Sequence, residues 1–129
     1  SDLKRRITEV YHLIYSACKE KEIKYPSFIA LGLGIFFPKN ISNNLAKDIR
    51  CVYMEAQFEL LASVDYDFHT VFLNPGPAWD EAIQLWKDLH SSENHPFRCH
   101  IKLHRKDVKI LASELARAGK RTCCLVPSD

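Results

Sequence analysis

Two glycines and two adjacent phenylalanines crowd into one short stretch, Leu31–Asn40, which reads LGLGIFFPKN. Gly32 and Gly34 can take backbone conformations closed to other residues and let a ligand come against the main chain. A strand-to-helix turn of this kind can present N–H groups to a phosphate. Phe36 and Phe37 set flat apolar surface beside the turn, and they read equally well as core side chains of a packed connection. The spacing is G-x-G with Phe37 in the third glycine's place, and no Lys-Ser/Thr follows, so neither a P-loop nor a full G-x-G-x-x-G is present. A second segment with chemical capacity is Asn74-Pro75-Gly76-Pro77, which reads evenly as a rigid start to a helix or as a ligand contact through Asn74. A third is Ser128-Asp129, directly after an apolar run.

Catalytic residues cannot be assigned from spacing, because no Ser-His-Asp set or carboxylate pair emerges. His104 is the best-placed histidine, at the carboxyl end of a strand pattern. Asp107 and Asp129 fall at the same edge, and Asp65 and Asp67 at the opposite one. His12 lies in a helical pattern and His69 and His100 in strand patterns, so these read as structural or surface residues.

The elements that must position these groups follow from hydrophobic periodicity. Residues 3–20 carry Leu3, Ile7, Val10, Tyr11, Ile14, Ala17 and Cys18 on one helical face. Ser27–Leu31, introduced by Pro26, is a short buried strand. Residues 43–63 form a long helix with Ser42 or Asn43 as its cap. His69–Leu73 is β-branched and aromatic, hence a strand. Pro77 suits the first helical position, and Trp79, Ala82, Ile83, Trp86 and Leu89 form the next apolar stripe. Phe97–Leu103 alternates, as a strand near a sheet edge would. Val108, Leu111, Ala112, Leu115 and Ala116 make a fourth helical stripe that Gly119 ends, and Thr122–Val126 is the last strand.

The order α-β-α-β-α-β-α-β predicts right-handed crossovers and one three-layer α/β domain, with helices flanking a mostly parallel sheet of at least four strands. In such sheets ligands bind beyond the carboxyl ends of the strands. LGLGIFFPKN, NPGP, HRKD and PSD meet at that edge, and three of the four are rich in Gly, Pro, Asn, Ser or Asp. The opposite edge, IKYPS, ASVDYDF, SSENHPF and AGKR, reads as ordinary solvated connections.

Composition narrows the function classes. The chain has 129 residues, 47% hydrophobic and 26% charged, enough for one domain with a real core. A formal net charge of +2, with scattered basic residues, gives no electrostatic case for nucleic acid. The 5 cysteines include no C-x-x-C pair and read as free thiols of a reducing, cytoplasmic compartment. Cys99-His100 with His104 is the nearest approach to a zinc ligand set and lacks its spacing, so no metal is expected. No apolar run approaches the roughly 20 residues of a membrane span, and no signal peptide is visible. The chain opens on Ser1-Asp2 and stops at Ser128-Asp129, so it is expected to be part of a larger protein.

Helix, apolar strand, G-x-G-[IV]-[FY] loop and long helix, over residues 3–76, resemble the C-terminal half of a macro domain. The unit from Phe97 to Val126, followed by P-S-D, is similar to one found in divergent macro-like ADP-ribose hydrolases of bacterial effectors. Gly32, Gly34, Ile35 and Phe36 match the family loop. Leu33 stands where the family usually has Ser or Thr, and Phe37 where it has a third Gly. The resemblance implies binding of ADP-ribose or an ADP-ribosylated protein, with the diphosphate on residues 32–37 and the distal ribose against Phe36. The base or ribose would then lie toward Asn74, Pro75, Gly76 and Ser128. It also implies hydrolysis of ADP-ribosyl linkages, with Asp129 as the only matching carboxylate or with the catalytic carboxylates outside this chain, and residence in a cytosol, including that of a host cell. Two other readings stay open: a non-catalytic protein-interaction domain of the same fold, and a Rossmann-like enzyme using another nucleotide.

Overall fold

A computed structural model describes residues 2–29, 40–90 and 97–125. The chain alternates α1 (Asp2–Glu20), β1 (Tyr25–Ile29), α2 (Asn43–Ser63), β2 (Thr70–Asn74), a 3-10 turn (Gly76–Ala78), α3 (Trp79–His90), β3 (His100–Leu103), α4 (Val108–Arg117) and β4 (Thr122–Leu125). The four strands form one all-parallel sheet in the order β3-β2-β1-β4. The expected α/β architecture is therefore present.

Strand order and crossover handedness together set the layers. The connections from β1 through α2 to β2, and from β2 through α3 to β3, step one way along the sheet. The connection through α4 steps back past both strands to β4. Right-handed crossovers that run in opposite directions put their helices on opposite faces. Accordingly α2 packs between α1 and α3 on one face, while α4 packs against β4 and β1 on the other. On that second face, among the described residues, no helix covers β2 and β3. Thr70 and Phe72 are half-buried there, and His100 and Lys102 are exposed.

The core lies under α1 and α2. Ile7, Tyr11, Tyr15 and Cys18 form the buried stripe of α1. This differs from the expected face: Leu3 and Val10 are 40% and 49% exposed, and Tyr15 is fully buried. Tyr15 can go inside because its hydroxyl donates to Gln57 Oε1 at 3.4 Å, so its polar tip is not stranded. Its ring meets Phe28 at 5.1 Å, Tyr66 at 5.2 Å and Phe68 at 6.0 Å. In α2 the buried set is Met54, Ala56, Gln57, Phe58, Leu60 and Leu61, wider than a single stripe because the helix has a neighbour on each side. Ser42, not Asn43, caps α2, accepting from the Leu45 N–H at 3.1 Å.

β2 begins one residue later than expected, at Thr70, and two strands depart further. β1 starts at Tyr25 and contains Pro26. Tyr25 donates its N–H to Arg121 on the β4 side, so the Pro26 nitrogen faces β2. It lies just ahead of the first registered pair with β2, Ser27 with Phe72, where little of the ladder is lost. β3 is shorter than the alternation of 97–103 suggests. The Arg98 N–H donates to the Leu61 carbonyl at 3.1 Å, and Phe97 packs on Phe58 at 5.8 Å. The first third of the alternating run thus docks on the end of α2, and pairing with β2 begins at His100. As the alternation implied, β3 is an outer strand.

Candidate ligand crevice at the carboxyl edge

The reversal of crossover direction places a topological switch point between β1 and β4, the position where open α/β sheets characteristically take ligands. The segments following these two strands are residues 30–39 and 126–129. Gly32, Leu33, Gly34, Ile35, Phe36 and Phe37, and likewise Ser128 and Asp129, lie outside the described residues. The turn after β2 is described in full.

In that turn Asn74 does structural work with both ends of its amide. Its Nδ2 donates to the Lys106 carbonyl at 2.9 Å, and its Oδ1 accepts from the Gly76 N–H at 3.0 Å. The first bond ties the β2–α3 turn to the β3–α4 connection. The second closes an Asx turn, after which Gly76 turns the chain at φ +57°. Pro75 is fully buried, and its carbonyl accepts from the Ala78 N–H at 3.1 Å. The Asn74–Gly76 segment is therefore a rigid start to α3, with Gly76 its exposed member.

Around this turn the same edge gathers charged groups that sequence spacing did not single out. A cleft of about 470 Å³ between α2 and α3 is lined by Lys47, Cys51, Asp80, Glu81, Gln84 and Leu85. At its base Arg50 Nε donates to Glu81 Oε1 at 2.7 Å, with the Glu81 side chain only 8% exposed. Burial, followed by the nearby Glu81 and Glu55 carboxylates, pushes the Cys51 thiol up, so it stays protonated at neutral pH and is no activated nucleophile. The separation between Arg50 and Glu81 hid their pairing. The only sequence signal was two acidic residues at the start of α3, which suit the helix dipole equally well.

Beyond β3, the Arg105 guanidinium lies 4.2 Å above the Trp79 ring. Trp79 and Trp86 are both half-buried. The Asp107 carboxylate caps α4, accepting from the Lys109 N–H at 2.8 Å and the Ile110 N–H at 3.3 Å. His104 Nδ1 accepts from the Lys106 N–H at 3.1 Å, which puts the ring proton on Nε2. That Nε2 is buried and has no hydrogen-bond partner among the described residues. Burial first, then the Lys106 and Lys102 charges, lowers the His104 pKa. No carboxylate is shown bonded to His104, so it forms no acid–base dyad among the described residues.

His12, His69 and His100 make contacts within the fold. His12 Nδ1 bonds the Tyr66 hydroxyl at 2.7 Å, and the His69 ring meets those of Tyr25 and His100 in tilted contacts at 4.9 and 5.6 Å. Among the described residues no three His, Cys, Asp or Glu side chains gather as a metal site, and no helix is long and apolar enough to cross a membrane. Cys18, Cys51, Cys99 and Cys123 are free thiols. No protein-family model and no curated protein matches this chain.

Proposed function

We propose that this chain binds ADP-ribose or a related nucleotide at the carboxyl edge of its sheet. The strand order carries the proposal. β1 and β4 are neighbours, the crossover that leaves β1 runs opposite to the one that arrives at β4, and they are the strands followed in sequence by GLGIFF and by PSD. Backbone N–H groups of residues 32–37 would receive the diphosphate. The aromatic face of Phe36 would meet the distal ribose, and Ser128 would lie toward the base or ribose. Gly76 lies at the same edge, whereas Asn74 and Pro75 would shape the crevice indirectly, since their polar groups are occupied within the fold. Cleavage of ADP-ribosyl linkages is a further step of the same proposal. It would fall to Asp129 or to carboxylates from outside this chain.

The test is calorimetric titration of the purified chain with ADP-ribose, with AMP and NAD as controls, alongside Gly34→Glu. That substitution brings bulk and negative charge to the diphosphate position. Saturable ADP-ribose binding that the variant loses is the expected result. No binding by a well-folded chain would overturn the reading of this chain as a self-sufficient ligand module. A second reading, a non-catalytic protein-interaction domain, would then gain. It is favoured by the face of β2 and β3 that no described helix covers, where His100 and Lys102 are exposed. The two half-buried tryptophans do not add to it.

A further inference from the structure

Cys18 and Cys123 come from opposite ends of the chain, 105 residues apart, yet their Sγ atoms lie 3.5 Å from each other. Cys18 closes the buried stripe of α1, and Cys123 is the second residue of β4. Cys123 registers with Pro26 of β1. The backbone around both thiols is pinned. The Ile23 N–H donates to the Cys18 carbonyl at 3.0 Å. The Lys24 and Tyr25 N–H groups both donate to the Arg121 carbonyl, and Arg121 Nε returns to the Lys21 carbonyl at 3.0 Å. The α1–β1 turn and the start of β4 thus form one clamp, and the two sulfurs sit inside it.

We propose that Cys18 and Cys123 are a redox-active dithiol, which hydrogen peroxide closes into a disulfide that staples the end of α1 to β4. A bond requires the sulfurs to approach to roughly 2.05 Å, a movement of the order of 1.5 Å that side-chain rotation within the clamp can supply.

The two thiols are not equivalent. The hydrogen bond between them, together with burial, pushes Cys18 up. The same bond lowers Cys123, burial opposes it, and the Ser27 backbone N–H lowers it further. Cys123 is therefore the thiolate-forming partner, and it is only half-buried, within reach of a small oxidant. Its sulfur attacks one peroxide oxygen, the O–O bond breaks, and the departing oxygen leaves as water after taking a proton, giving a sulfenic acid at Cys123. The Cys18 sulfur then attacks the sulfenic sulfur. The S–S bond forms, the S–O bond breaks, and the hydroxyl leaves as water with the Cys18 proton. Two thiols lose two electrons in all, and the peroxide is reduced to water.

The experiment uses the full reduced chain treated with hydrogen peroxide, then intact mass and non-reducing peptide mapping. The expected product has lost about 2 Da and joins the Cys18 peptide to the Cys123 peptide, with a thiol titration two lower than the starting 5. Cys18→Ser and Cys123→Ser abolish the link, and Cys124→Ser keeps it. The cross-link closes a long loop of the unfolded chain, so the thermal midpoint should rise by roughly 10 °C or more and return with dithiothreitol. Oxygen addition at separate cysteines, or a link that persists in Cys123→Ser, would overturn the proposal. So would five thiols surviving excess peroxide. Peptide mapping of the unsubstituted chain decides the matter even where a serine variant folds poorly.

Discussion

At His104 the two ring nitrogens meet opposite circumstances: Nδ1 accepts from the Lys106 N–H, and Nε2 is buried with no partner among the described residues. A proton on Nδ1 would set two donors against each other and add charge beside Lys106 and Lys102. The folded chain therefore favours the neutral ring, with its pKa below the ordinary imidazole value. The unfolded chain takes up the proton at about pH 6.5, so this contribution to stability is complete above that pH and is lost progressively as pH falls from there to the lower pKa of the folded chain. Urea unfolding followed from pH 7.5 to 5.5 should show stability falling, and His104→Gln should flatten that fall relative to the parent chain. An equal slope in the variant would show that other groups govern it. His104 was legible in sequence as the histidine at the right edge, because strand alternation located it. Its bond to Lys106 was not, since a two-residue reach depends on how the chain turns after β3. Asn74 makes the same point. Its place at a strand end was readable, whereas its hold on the Lys106 carbonyl, 32 residues away, required knowing that β2 and β3 are neighbours.

Helices and strands were legible where periodicity was unambiguous. The 43–63 helix has the expected bounds, and each of the eight elements of the sequence reading is present. The misreadings share a cause: an element's partner, not its own pattern, decides which side is buried. Tyr15 of α1 goes inside because Gln57 of α2 receives its hydroxyl, and Phe97 leaves the strand because α2 offers Phe58 and the Leu61 carbonyl. α4 shows how much can rest on one short helix, since among the described residues it is the helix that packs on that face of the sheet. Asp107 satisfies two N–H groups at its start. Asp107→Ala should cost about 1–2 kcal/mol in urea unfolding, and Asp107→Ser should restore most of it. A loss too small to measure would mean that packing on β1 and β4 holds α4 without its cap.

At the scale of the molecule, the sequence implied a parallel sheet but could not order its strands, because equivalent crossovers can step either way. The order β3-β2-β1-β4 makes β1 central and gathers the core around Tyr15 above it. Tyr15→Ala should therefore cost about 3–5 kcal/mol, a sizeable share of a small domain's total stability, and Tyr15→Phe only about 1 kcal/mol. Chemical denaturation of the two variants separates these costs, and near-equal losses would shift the weight from ring packing to the Gln57 bond. The same order has a consequence in time. β1 has β2 on one flank, but its other flank is filled only by β4, roughly ninety residues later in the chain. At ribosomal rates of about 5–20 residues per second, that flank waits some 5–20 s for its partner. A nascent chain therefore carries an open hydrogen-bonding edge at the middle of its sheet until β4 has been synthesised, and this interval is when a chaperone or a neighbouring nascent chain has most to bind.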